Sequence, residues 1–496
     1  MKTLPVQMYL SEQARELDRR ASKLPEFQNG HLMKSAGRAA FHLLQALWPD
    51  AHSVAICCGP GNNGGDAFVM AELAAANGYR VNILRFGASK GIDAQKAAIK
   101  VLNCGISEAE LNPTVFSGVD VIVDGMLGTG KKRPLSGMML EAVRTINKSR
   151  KPVLALDSPT GLNSDTGAVE NEAVDAAATI CFICLNLGIV TGNGPDRCGD
   201  LFFDSLDLPK TLFYGIKPVG RRIQTWDISV TLDSLPRPRH KGDAGHLLVV
   251  GGATGMSGAA RLAGEAALRA GAGSVSIATR KEHAAYLNLG RPELMVHGTE
   301  TAQDLMPLLR RSTAVLVGPG LGLTTWSQNL MAAVVDAGLP MIVDADGINL
   351  LTADMFKNDN WILTPHPGEA GRLLGLATAA VQGERLEIIR QIQEKYGGVC
   401  VLKGAGTLVL GCDSDLLLCD RGNPGMASAG MGDVLAGVIG SFVVQGLNLK
   451  EAAGCGAWLH SVAGDLVASG GERGMVASDL LLHVCSLVNN PALADV

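Results

Sequence analysis

Gly430, Gly432 and Asp433, in the run "GNPGMASAGMGDVLAGVIGSF", carry the strongest chemical pattern in the chain. A G-x-G-D ahead of an apolar helix points backbone N–H groups and the positive end of the helix dipole at whatever lies above them, with a carboxylate alongside. Phosphoryl transfer needs that pairing: negative charge spreads over the transferred oxygens while a carboxylate takes the proton of the attacking hydroxyl. A packing turn rich in glycine and capped by aspartate would read similarly. That alternative loses ground because further loops of the same character follow strand-like runs in the same half. They are "KGAGT" (Lys403 to Thr407) after "GVCVL", "GPGLG" after "TAVLV" and "TPHPGE" after "NWIL".

The first half has its own set. "GPGNNGGDAFV" follows "VAICC", Asp124 and "GMLGTGKKRP" follow "VDVIV", and "DSPTGL", with Asp157 and Thr160, follows "PVLAL". Asn62, Asn63 and Asp66 would place amide oxygens and a carboxylate at a helix start. The stretch from Gly125 nearly spells a nucleotide hydrolase phosphate loop, with Gly130 and Lys131 at the right separation, but Lys132 stands where the pattern needs a hydroxyl for magnesium. It is therefore expected to bind phosphates that already belong to a substrate, with Lys131, Lys132 and Arg133 neutralising charge. Each motif alone reads as a turn or helix cap. Three at successive strand ends of one sheet make a site, because ligands gather beyond the carboxyl ends of parallel strands.

The elements that must position these residues alternate along the chain. Short apolar runs ("SVAICCG", "YRVNILRF", "VDVIVDG", "KPVLALD", "ATICFICL") are separated by Ala-rich stretches such as "DAFVMAELAAANG", the pattern of parallel strands joined by helices. "SEQARELDRRAS" and "HLMKSAGRAAFHLLQAL" precede them as flanking amphipathic helices. Periodicity lapses before a stretch holding Pro236, Pro238 and the basic residues Arg237, Arg239, His240 and Lys241, the best boundary. A second alternating series then runs from "HLLVVGG" through "GSVSIAT", "TAVLVGPG", "PMIVDAD", "NWILTPHPGE" and "GVCVLKGAGT". Both halves are α/β, but their turn motifs differ, so they are not an internal repeat.

Composition sets the bounds. A chain of 496 residues suggests two or three domains. With 47% hydrophobic and 18% charged residues and a net charge of -5, the protein is expected to be globular, without the basic stripe of a nucleic-acid partner. The 61 glycines are nearly twice the usual share, as many tight turns would require. The eleven cysteines are scattered, several inside apolar runs, which excludes a secreted disulfide framework. Cys181 and Cys184 have C-x-x-C spacing but read as buried packing. The N-terminus shows neither signal peptide nor membrane anchor, so a cytoplasmic location with no membrane partner is expected.

At the level of whole motifs, "GNNGGD", "DGMLGTG" and "DSPTGLNSDTG" resemble the signature loops of NAD(P)H-hydrate epimerases, which interconvert the R and S forms of hydrated NAD(P)H. The resemblance implies that Asn62, Asn63, Gly64, Gly65 and Asp66 bind substrate, together with Gly128, Thr129, Gly130, Lys131, Lys132, Arg133 and Pro134. It further implies Asp157 at the substrate, and Asn63, Asp124 and Thr160 around a potassium ion. Epimerisation needs a group that moves a proton near the hydrated carbon; Asp157 is the first candidate and Asp66 the second. Three departures from the commonest family form stand out: Ala67 for glycine, Gly125 for alanine, and "DSPTG" for "DIPSG".

In the second half, "HKGDAGHLLVVGG", "GPGLG", "PHPGEAGRLL", "LKGAGT" and "GMASAGMGD" resemble, in order over about residues 237–480, the ADP-dependent NAD(P)H-hydrate dehydratases of the ribokinase-like group. Together the halves resemble the bifunctional NAD(P)H-hydrate repair family. That implies a Rossmann-like three-layer α/β/α epimerase domain over 1–220 and a ribokinase-like α/β dehydratase domain over 221–496. Asp433 would be the catalytic base on the substrate hydroxyl, with Gly430, Met431 and Gly432 holding the moving phosphoryl. Lys403, Gly404, Ala405, Gly406 and Thr407 would bind the nucleotide with Gly432. Ala259, Gly320, Gly322 and His366 would lie along the hydrated dinucleotide, although His366 could instead cap the helix near Glu369. The expected small molecules are NADHX, NADPHX and ADP, the last giving AMP and phosphate, with Mg2+ on the nucleotide phosphates, Glu369 as an indirect ligand, and a homo-oligomer as the assembly. G-x-G-D alone fits a ribokinase-like small-molecule kinase fused to a dinucleotide-binding domain, and two domains that only bind would make a dinucleotide sensor. A dehydrogenase fits less well, since neither "GPGNNGGD" nor "GGATGMSG" has the G-x-G-x-x-G order.

Overall fold

The computed structural model describes residues 3–129, 134–232, 241–351 and 357–495. The chain divides into two compact units, Met1–Arg221 and Arg222–Val496. Both are α/β and built on parallel strands, as their alternating pattern predicts. No helix among the described residues is long and apolar enough to cross a membrane.

In the first unit a six-stranded sheet holds β1 (Ser53–Cys58), β2 (Arg80–Arg85), β3 (Val121–Gly125), β4 (Val153–Leu156), β5 (Ala178–Phe182) and β6 (Asp200–Asp204), all parallel to one another, in the order β2-β1-β3-β4-β5-β6. Strands β1, β3, β4 and β5 are buried along their whole length, so their sequences are continuous apolar runs rather than alternations. The edge strand β6 has mixed exposure and did not stand out in the sequence. Helices α1 (Asn62–Ala76), α2 (Ile92–Asn103) and α3 (Gly137–Ser149) make the first crossovers. Strand order reverses between β1 and β3, which puts the loops after these strands at a topological switch point. Cys181 and Cys184 are both buried free thiols.

In the second unit, β7 (His246–Val250), β8 (Ser274–Thr279), β9 (Leu294–Gly298), β10 (Ala314–Val317), β11 (Met341–Val343), β12 (Trp361–Leu363) and β13 (Val399–Leu402) are parallel in the order β9-β8-β7-β10-β11-β12-β13. Strands β14 (Thr407–Leu410) and β15 (Leu416–Cys419) extend the sheet antiparallel beyond β13. The "KGAGT" motif is thus the turn of a hairpin rather than a strand-to-helix loop. Helices α4 (Ser257–Arg269) and α8 (Met431–Val444) share one core with β7, β8, β10 and β11. Between them in sequence lie α5 (Thr325–Asp336), α6 (Asp346–Leu350) and α7 (Pro367–Leu374), and α9 (Leu449–Ala468) follows α8.

Two of the departures noted in the sequence meet in space. A Cβ added to Gly125, at the end of β3, would lie 2.5 Å from the Ala67 Cβ on α1. The methyl group that the commonest family form carries on the strand is carried here by the helix, so only one of the two positions can hold it. Gly125→Ala should therefore cost about 1–3 kcal/mol by overpacking, while adding Ala67→Gly to that variant should restore most of the loss. Denaturant unfolding of both single variants and the double variant reads the coupling; additive losses would contradict the shared space.

Candidate functional sites

The first site lies at the carboxyl ends of β1, β3 and β4. Asp124, the fourth residue of β3, is wholly buried: its Oδ2 accepts from the Thr160 N–H at 2.7 Å, and its Oδ1 from the Thr160 hydroxyl at 2.7 Å and the Met126 N–H at 3.2 Å. The Thr160 hydroxyl also accepts from the Leu127 N–H at 3.0 Å, so one threonine fastens the β3 loop to the β4 loop. Burial still pushes the Asp124 carboxyl up to about 6, against the lowering effect of those bonds.

Asp157 follows β4 with φ +66, a left-handed conformation that a non-glycine residue adopts only when its surroundings enforce it. Its Oδ2 accepts from the Thr129 N–H at 3.1 Å, yet burial holds its pKa above the ordinary range. A Cβ on Gly128 would fall 2.8 Å from that same Oδ2 and 3.4 Å from the Asn63 Cβ, which puts Gly128, Asp157 and Asn63 around one small space. Both amide atoms of Asn63 are buried and without a hydrogen-bond partner. Helix α1 starts at Asn62, so Asp66 falls in its second turn rather than at the helix start as expected; Gly64 and Gly65 are buried in the first turn. Burial, then the charges of Asp157 and Asp18, push the Asp66 carboxyl well up. Asp18, on the helix Ser11–Ala21, was not singled out in the sequence; Asn62 Nδ2 donates to it at 3.2 Å. Gly130, Lys131, Lys132 and Arg133 lie outside the described residues, and Pro134 is exposed.

The second site is assembled from the ends of β10 to β13 and the start of α8. Asp344, immediately after β11 and buried, accepts on Oδ1 from the Thr364 hydroxyl at 2.6 Å and from Lys403 Nζ at 2.8 Å. Glu369 Oε2 lies 3.8 Å from the same ammonium. Burial alone would lower the Lys403 pKa; Asp344, Glu369 and Asp433 together outweigh it and hold the ammonium charged. A Cβ on Gly432 would come 3.2 Å from Lys403 Nζ and 3.7 Å from Asp344 Oδ2, so the first turn of α8 faces this pair directly. Its N-cap, Gly430, has φ +88 and offers no side chain to the helix end. Asp433 therefore lies in the first turn without capping it. Burial, followed by the charge of Asp344, pushes its carboxyl up to about 7, with Lys403 opposing and Asp346 and Glu369 adding.

Asp346 ties in the remaining loop: its Oδ2 accepts from the Gly322 N–H at 2.8 Å. A Cβ on Gly320 would be 3.1 Å from that of Ala259 in the first turn of α4, so Ala259, Gly320 and Gly322 border one side. His366 caps α7: its Nδ1 accepts from the Gly368 N–H at 3.0 Å, and the Glu369 carboxylate accepts from the His366 N–H at 2.8 Å. Its Nε2 is 3.3 Å from Glu369 Oε1, and the ring is half exposed. Of the residues that sequence reasoning missed, Asp344 and Asp346 had one signal, two aspartates at the end of "PMIVDAD". Ala345 between them sits at φ +47, like Asp157 a strained non-glycine residue at a strand end.

Two family models match the chain in order, "YjeF-related protein N-terminus" over residues 29–188 and "NAD(P)H-hydrate dehydratase" over residues 247–485. A bifunctional NAD(P)H-hydrate repair enzyme of Coxiella burnetii is 44% identical, the match covering 97% of this chain and 99% of that protein. The enzyme of the same description from Escherichia coli is 40% identical, over 99% of this chain and 96% of its own length. Among solved structures, a ribokinase-like superfamily protein from Enterococcus faecalis matches with a TM-score of 0.51 and 26% identity, over 55% of this chain and 96% of that one.

The raised carboxyl of Asp433 has a measurable cost. Because its folded-state value of about 7 lies above the ordinary 3.8, the folded protein loses stability as pH rises between the two values, and the whole penalty is present above about 7. Asp433→Asn removes that penalty. Its melting temperature should exceed the parent's by a margin that grows from about pH 5 to about pH 8; a variant less stable than the parent at the higher pH would contradict the reading.

Proposed function

The chain belongs to the family of bifunctional NAD(P)H-hydrate repair enzymes, and on that premise we propose how its two units divide the work. Residues 1–220 epimerise hydrated NADH and NADPH, and residues 221–496 dehydrate the S form to NAD(P)H, converting ADP to AMP and phosphate. The observation that carries the reading is the placement of Asp433: an elevated carboxyl in the first turn of α8, facing the Lys403–Asp344 pair.

Hydroxide leaves a saturated ring carbon slowly, and phosphorylation makes it a good leaving group. Asp433 accepts the proton as the substrate hydroxyl attacks the terminal phosphorus of ADP; an O–P bond forms and the bond to AMP breaks. The N–H groups at Gly430 to Gly432 and the Lys403 ammonium stabilise the charge on the transferred oxygens. The C–O bond then breaks as the ring nitrogen's electron pair moves in, phosphate departs, and loss of a proton from the adjacent carbon restores the reduced ring. Lys403 to Thr407 hold the nucleotide, while Ala259, Gly320, Gly322 and His366 border the dinucleotide. The carboxylates of Asp344, Asp346 and Glu369, whose repulsion raises Asp433, fit a magnesium ion held mainly by the nucleotide phosphates. When bound, magnesium would neutralise phosphate charge.

In the first unit Asp157 moves the proton near the hydrated carbon, and Asp66, whose carboxyl burial and the charge of Asp157 push up, is the second candidate for that step. The unpartnered Asn63 amide, with the Asp124 carboxylate and the Thr160 hydroxyl, offers hard oxygen donors that fit potassium. Potassium would supply the charge that a buried Asp124 carboxylate needs.

Mixed epimers of hydrated NADH offered with ADP and Mg2+ test both assignments at once. Both epimers should be consumed, with inorganic phosphate appearing in step with the absorbance of the reduced nicotinamide ring. Consumption of one epimer alone would overturn the first unit's role. A stable phosphoester would replace the second unit's role with that of a small-molecule kinase.

A further inference from the structure

Arg385 opens the helix Arg385–Tyr396 and is among the largest fully buried side chains of the molecule, 1% exposed. Its guanidinium faces the underside of the β13–β14 turn. Nη1 donates to the Lys403 carbonyl at 3.2 Å and to the Gln382 amide oxygen at 3.0 Å; Nη2 donates to the carbonyls of Leu402 and Gly406, both at 3.2 Å. Three of these bonds go to the backbone of the turn, two on the limb leaving β13 and one on the limb entering β14.

We infer that Arg385 is the positioning residue that sets the shape of the Lys403–Thr407 turn for the phosphates of a nucleoside diphosphate, an inference that rests on the reading of this turn as the nucleotide loop. A trans peptide points each C=O and the following N–H to opposite sides. Drawing the Lys403 carbonyl onto the guanidinium thus turns the Gly404 N–H to the opposite face of the turn. Anchoring Leu402 and Gly406 at the same time fixes the separation of the two limbs, which only a planar, forked donor can do in one stroke. Gly404 belongs to the same device. Its φ is +134, and a Cβ there would lie 2.8 Å from Arg385 Nη1, so the guanidinium occupies the space a side chain would need. The second glycine-rich loop of this half owes its first glycine to the arginine beneath it as well as to the ligand above. Burial lowers the guanidinium pKa to about 10, which leaves a full positive charge under the turn at neutral pH.

Arg385→Lys and Gln382→Ala test this in the full-length chain, with Mg-ADP binding measured by calorimetry and dehydration kinetics measured against each substrate. Gln382 is exposed, so its replacement leaves the core intact and removes one bond to the guanidinium. Arg385→Lys should raise the KM for ADP roughly tenfold while kcat and the KM for hydrated NADH stay within about twofold. Gln382→Ala should raise the same KM by a smaller factor, about threefold. Epimerisation should be unchanged in both. An unchanged KM for ADP in both variants, or equal losses in kcat and both KM values, would overturn the inference. If the parent chain dehydrates its substrate but calorimetry detects no ADP binding, the reading of the loop itself fails; if the parent binds ADP and the variants bind equally well, only Arg385's role fails.

Discussion

Each unit is organised around an aspartate forced out of water at the carboxyl end of a parallel strand. Asp124 at the end of β3 and Asp344 just after β11 are both buried, and each takes a hydroxyl hydrogen bond from a threonine at the end of the neighbouring strand, Thr160 at 2.7 Å and Thr364 at 2.6 Å. A charge in that position is costly unless nearly every lone pair is met, so the neighbouring loops must close onto it. In the first unit backbone N–H groups and the threonine complete the shell. In the second a lysine is added, and the Lys403–Asp344 pair becomes the floor against which α8 begins. The loops proposed to meet a ligand are thus shaped first by the need to satisfy these two carboxylates.

A second carboxylate in each site is also held high: burial first, then the charge of neighbouring acids, makes Asp157 and Asp433 keep their protons more tightly than an ordinary aspartate. Carboxyls raised in this way suit acid–base chemistry near neutrality, the role proposed for both. The backbone carries part of the cost. Asp157 at φ +66 and Ala345 at φ +47 are strained residues at strand ends, held there by fully buried strands on either side.

Much of this was legible in the sequence for a physical reason. Strands buried on both faces must be continuous apolar runs, and loops that approach phosphate closely must be rich in glycine, so both leave strong marks. The edge strands β6 and β9, half exposed, left weak ones. The hairpin partners β14 and β15 were readable as apolar tetrads flanking "GCDSD" but hid behind the motif that precedes them. Asp18 and Arg385 were invisible because a charged residue on a helix reads as solvent-facing; only the fold turns them inward. Ala67 and Gly125 were visible as two separate departures from the family form, and only their contact shows that they are one exchange of a methyl group.

The central claim is that the second site removes a hydroxyl by first phosphorylating it at Asp433. The direct test is to prepare hydrated NADH with 18O in the ring hydroxyl, run a single turnover with unlabelled ADP, and follow the label by mass spectrometry. If the hydroxyl oxygen attacks phosphorus, the inorganic phosphate released carries the 18O and the water does not. Label appearing in water, with unlabelled phosphate, would mean that the hydroxyl leaves directly and that ADP is cleaved by a separate reaction, which would contradict the account.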